Sequence, residues 1–114
     1  MDPTQRPLDL LFTALADPNR RAMVEQLSRG PATVKQLAEP ARLRLPSAVK
    51  HLQVLENGGI VMSEKAGRSR TYRMRPGAFR QIDDWVRQRE AAMEAAFDRL
   101  VQAMHDIPPE DDTP

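Results

Sequence analysis

The stretch from Thr33 to Met74 reads as a helix, a tight turn, a second helix and a two-stranded hairpin with an arginine-rich tip. The second helix is Pro46-Ser-Ala-Val-Lys-His-Leu-Gln-Val-Leu-Glu-Asn57, closed by Gly58-Gly59. Pro46 suits an early helical position, where its missing N–H is an orphan in any case. Ala48, Leu52 and Leu55 share one face at i, i+4 and i+7, with Val49 beside them, and this face is expected to dock on the preceding helix. Ser47, Lys50, His51 and Val54 fall on the opposite face, with Gln53 at its margin. The hairpin runs from Ile60 to Met74, and Gly67 at its tip supplies the positive φ that such turns often need. A short polar-faced helix beside a basic β-ribbon suits duplex DNA: the helix enters the major groove and the ribbon grips the backbone nearby.

The flanking segments support that frame. Leu8, Leu11, Phe12 and Leu15 recur at helical spacing after seven residues that read as disordered. Asp17 is placed to cap a helix opened by Pro18, whose Met23, Val24 and Leu27 point inward until Gly30-Pro31. Thr33 caps the next helix, Val34 to about Ala38; Pro40 ends it, and Ala41 to Leu45 form the turn. After Pro76-Gly77 comes a long helix, Ala78 to about Met104. Its apolar seam is Phe79, Ile82, Val86, Met93, Phe97, Leu100 and Met104, interrupted by Arg89 and adjoined by Trp85. One domain is too small to cover that stripe, so a partner helix is implied. The expected fold is α+β, mostly α: a winged helix-turn-helix over residues 8–105 with a hairpin wing and a C-terminal dimerisation helix. Residues 106–114 read as a disordered acidic tail.

A chain of 114 residues with 40% hydrophobic and 29% charged residues suits one globular domain. No apolar run has the length of a membrane span, and Met1-Asp-Pro-Thr-Gln-Arg does not read as a signal peptide, so no membrane partner and a cytoplasmic location are expected. Zero cysteines exclude disulfides and thiolate metal sites. The formal net charge of +1 conceals a segregation. From Arg42 to Arg75 there are Arg42, Arg44, Lys50, Lys65, Arg68, Arg70, Arg73 and Arg75 against only Glu56 and Glu64. From Asp106 onward, Asp106, Glu110, Asp111 and Asp112 meet no base. A phosphate backbone responds to the local field, not the total.

These observations nominate Arg44, Ser47, Lys50, His51 and Gln53 on the second helix, and Lys65, Arg68, Ser69 and Arg70 on the hairpin, as contacts to double-stranded DNA. Leu8, Leu11, Phe12, Leu15, Trp85, Val86, Met93, Phe97 and Leu100 are nominated for a homodimer interface. Histidines 51 and 105 do not make a chelating set, and no cofactor or metal is expected. No catalytic constellation stands out, and five aromatic residues are too few for a base-stacking platform. Two other readings compete: a co-regulator working through a protein partner, and a metal or small-molecule sensor of the same fold.

Leu11-Phe-Thr-Ala-Leu-Ala-Asp-Pro-Asn-Arg-Arg-Ala-Met-Val-Glu-Gln-Leu27, Leu37-Ala-Glu-Pro40, Lys50-His-Leu-Gln-Val-Leu-Glu56 and Gly67-Arg-Ser-Arg-Thr-Tyr-Arg73 together resemble ArsR/SmtB-type winged-helix regulators. The resemblance spans about residues 8 to 100. It implies a homodimeric repressor that binds an inverted repeat and leaves DNA when an inducer binds. The cysteine motif of the metal-sensing branches is missing from Val34-Lys-Gln-Leu-Ala-Glu39. The last helix is similar to that of a branch with a long aromatic-bearing C-terminal helix. Arg44 stands where the family usually has a serine, which removes a helix cap worth about 1 kcal/mol and sets a cation against the positive helix end.

Overall fold

The computed structural model describes residues 5–109. In chain order the elements are α1 (Gln5–Leu15), α2 (Pro18–Leu27), β1 (Ala32–Thr33), α3 (Val34–Ala38), α4 (Leu45–Asn57), β2 (Val61–Ala66), β3 (Ser69–Met74) and α5 (Arg80–Asp106). The chain divides into two compact units, one ending at Arg80 and the other beginning at Gln81.

In the first unit, α1 packs on α2 and α4, and α2, α3 and α4 meet a three-stranded antiparallel sheet ordered β1-β3-β2. Its core is Leu11, Ala14, Met23, Val24, Leu27, Ala32, Leu37, Ala38, Ala48, Leu52, Leu55, Ile60, Val61 and Tyr72. Small side chains let the helices approach closely. Gly58, at the end of α4, is buried, and a Cβ placed there would lie 2.9 Å from the Ala14 Cβ and 3.0 Å from the Leu10 carbonyl oxygen of α1.

The helix starts follow the expected capping chemistry. Asp17 accepts a hydrogen bond from the Arg20 N–H ahead of Pro18. Thr33 and Gln36 form a reciprocal capping box at α3, satisfying one orphan donor each. α1 begins at Gln5, ahead of the expected Leu8, and α5 runs from Arg80 rather than Ala78 to Asp106, the first residue of the expected tail; residues 1–4 and 110–114, which hold the rest of both terminal expectations, lie outside the described residues.

Three further features depart from expectation. Ala32 and Thr33 pair with Tyr72 and Thr71, adding a third strand to the hairpin. Two residues are too short a run to carry a period, and the strand exists only because β3 offers a free edge. α4 starts at Leu45, one residue inside the expected turn. The face beside Ala48 also closes sooner than expected: Ala48, Leu52 and Leu55 are buried, but Val49 is 45% exposed.

In the second unit, α5 carries the expected seam, and none of its residues is buried. The Arg89 guanidinium lies 5.3 Å from the centre of the Trp85 ring, so the one charge in the seam stacks on its aromatic neighbour. His105 stands in the last helical turn, where the dipole favours a cation.

Candidate nucleic-acid interface

The turn before α4 brings basic residues to the start of that helix. Leu43 N–H donates to the Ala38 carbonyl (3.0 Å) and Arg42 N–H to the Glu39 carbonyl (3.1 Å). This is a Schellman closure, and it puts Arg42 in the left-handed region at φ 52°. The same closure ends α4, where Ile60 bonds to Leu55 and Gly59 to Glu56, but there the left-handed residue is Gly59. Arg42 therefore holds a conformation that costs a non-glycine residue about 1–2 kcal/mol. Sequence reading counted its charge and did not nominate it, because nothing in the sequence announces a left-handed arginine.

Arg44 occupies the N-cap position of α4 and makes no side-chain cap bond, as its replacement of serine implied. It is exposed, as are Ser47, Lys50 and Gln53. Gln53 spends an amide hydrogen on Asn57 Oδ1 at 3.0 Å.

His51 departs from the expected free polar face. It is half-buried at the edge of α4 nearest α2, with its Nδ1 3.3 Å from Arg20 Nη1 and 3.9 Å from Asp17 Oδ2. Arg20 also donates from Nε to the Ala14 carbonyl (2.7 Å) and from Nη2 to the Thr13 carbonyl (2.9 Å). One guanidinium thus bonds to two carbonyls in the last turn of α1, sits in the first turn of α2 and meets a side chain of α4. The Arg20 backbone N–H holds the Asp17 carboxyl below its ordinary value of 3.8; the charges of His51 and Arg20 act the same way, against its partial burial. The signal for this cluster was the sequence Asp17-Pro-Asn-Arg20, read only for its cap.

The wing sorts its charges by face. Ala66 pairs with Ser69 across Gly67-Arg68, with Gly67 at φ 62°. Lys65 and Arg70 are direct cross-strand partners on the face that, further in, carries buried Val61 and Tyr72. Burial pushes the Tyr72 hydroxyl above its ordinary 10.0, chiefly by desolvating its charged form. Like charges opposed across a ladder are unfavourable on their own, so an external anion would relieve the pair. Arg70 Nη1 donates to Ser63 Oγ at 2.8 Å, while Lys65 and Arg68 have no hydrogen-bond or ion-pair partner among the described residues. On the other face Arg73 is neutralised by Glu64 at 3.1 Å. Ser69 is exposed at the tip.

The nominated interface residues divide in the same way. Leu11 is 2% exposed and belongs to the core of its own chain, a correction to its place in a dimer seam. Leu8 and Leu15 are half-buried and Phe12 is exposed. On α5, Trp85, Val86, Met93, Phe97 and Leu100 are all exposed, Met93 at 69% and Phe97 at 64%. Among the described residues no three His, Asp or Glu side chains cluster to hold a metal ion, and no helix is long and apolar enough to cross a membrane.

Residues 15–64 match a family described as a helix-turn-helix domain. The chain is 40% identical over 73 residues to the HTH-type transcriptional regulator Rv2034 of Mycobacterium tuberculosis, covering 64% of this chain and 68% of that one. A crystal structure of an ArsR family transcriptional regulator is 42% identical, with a TM-score of 0.74 over 77% of this chain and 97% of that chain. The same fold recurs in the solution structure of a homodimeric winged helix-turn-helix DNA-binding domain from Mycobacterium bovis, at 21% identity and a TM-score of 0.60, covering 83% and 85% of the two chains. With a capped helix-turn-helix, a basic wing and these relatives, the chain belongs to the ArsR/SmtB family of winged helix-turn-helix transcriptional regulators.

Proposed function

We propose that this regulator works as a homodimeric repressor on an inverted repeat in double-stranded DNA. The outer face of α4, with Ser47, Lys50 and Gln53, enters the major groove, and Lys65, Arg68, Ser69 and Arg70 of the wing meet the backbone beside it. The observation that carries this reading is the uncompensated opposition of Lys65 and Arg70 on the wing, against the neutralised Arg73 on its other face. Phosphate oxygens supply the missing counter-charge. His51 takes a positioning role, since Asp17 and Arg20 already engage its ring.

Pairing of two chains through α5 is supported by the unburied Met93, Phe97 and Leu100, and by the homodimeric state of the M. bovis domain. A two-fold axis would place two α4 helices about 34 Å apart, one turn of B-DNA. Repression is the mode that the family resemblance implies. Selection of bound sequences from random duplex DNA tests the reading. An enriched inverted repeat supports it; recovery of unenriched sequence favours a co-regulator that depends on a protein partner.

A further inference from the structure

The outer face of α4 carries an apolar patch that neither phosphate contact nor the core explains. Leu45 is 52% exposed and Val49 is 45% exposed. They are i, i+4 neighbours on one side of the helix, with exposed Pro46 next to both. The core face of α4 is fully accounted for by Ala48, Leu52 and Leu55. Arg42 and Arg44 precede the patch in the chain, and Lys50 and Gln53 follow on the next turn, all exposed. An apolar strip bordered on its outward side by cationic and polar side chains complements a ligand with an apolar feature beside anionic groups. In duplex DNA that feature is the 5-methyl group of thymine, the one apolar substituent on the floor of the major groove, flanked by phosphates.

We propose that Leu45 and Val49 are specificity-determining residues that read thymine through its 5-methyl group. This rests on the duplex-DNA reading above and adds to it what the α4 face discriminates. Lys50 and Gln53 supply polar contacts to base edges alongside, while Leu45 and Val49 favour thymine over cytosine and over uracil by burying the methyl.

The test uses the full chain and its selected duplex, re-synthesised with deoxyuridine in place of each thymidine in turn, with affinity read by fluorescence anisotropy. Burying one methyl is worth about 0.8 kcal/mol, so each contacted position should lose affinity about fourfold. Val49→Ala and Leu45→Ala should each lose that preference at a different position, while melting as the parent does because neither side chain is in the core. Equal binding of thymine and uracil duplexes would overturn the inference. So would variants that keep the full preference, or a Val49→Ala change that alters self-association without altering the uracil effect. Those results leave the DNA-binding reading standing. A selection that returns no sequence at all would remove both.

Discussion

Two side chains of similar sequence context on α4 have different roles because of what lies behind them. Lys50 faces outward, so Lys50→Ala should weaken specific binding by roughly 1–3 kcal/mol and leave the melting temperature unchanged. His51 touches Arg20, so His51→Ala should lower stability as well as affinity; parallel melts and titrations separate the two. Arg42 offers the opposite sign. Arg42→Gly should stabilise the folded chain by about 1 kcal/mol through relief of its left-handed backbone, yet lower the salt slope of DNA binding by about one contact. Asp17 sets an acid limb. Its folded pKa is depressed, so its contribution is full above the ordinary 3.8 and fades as the pH falls through the lower folded value. Asp17→Ala should cost about 1 kcal/mol at neutral pH and flatten stability against pH below about 4.

At the scale of elements, the wing provides the sharpest contrast. Arg68→Ala and Arg70→Ala should each reduce the slope of log affinity against log salt by about one phosphate contact. Arg73→Ala should change it less, since Glu64 already neutralises that arginine. Slopes unchanged from the parent in all three variants would take the wing off the backbone. Most of these elements were legible in the sequence, for local reasons. Asp17-Pro18, Thr33 and Gly67 each fix a boundary through groups a few residues apart. What was not legible depended on partners distant in sequence. β1 needs the edge of β3, the Schellman closure at Arg42 needs the carbonyls of α3, and the burial of Leu11 and exposure of Val49 depend on how α1 and α3 pack against α4. The Arg20–His51 contact joins residues 31 apart, beyond the reach of any periodic pattern.

For the molecule as a whole, the proposed pairing through α5 ties DNA binding to association. Met93 and Phe97 are i, i+4 neighbours on α5, both exposed in the single chain. Phe97→Asp should yield monomers by light scattering and collapse affinity for an inverted repeat, although no DNA-facing residue changes. An intact dimer with full affinity would place the interface on another surface. The claim on which the rest depends is that the chain itself, without a partner protein, distinguishes one duplex sequence from others. The most direct measurement is competition between the selected inverted repeat and random duplex DNA at physiological salt. A preference of at least about a thousandfold is predicted for the purified protein, in the range of sequence-specific regulators. A ratio near one would show that the basic wing binds DNA without reading it, and would contradict the account.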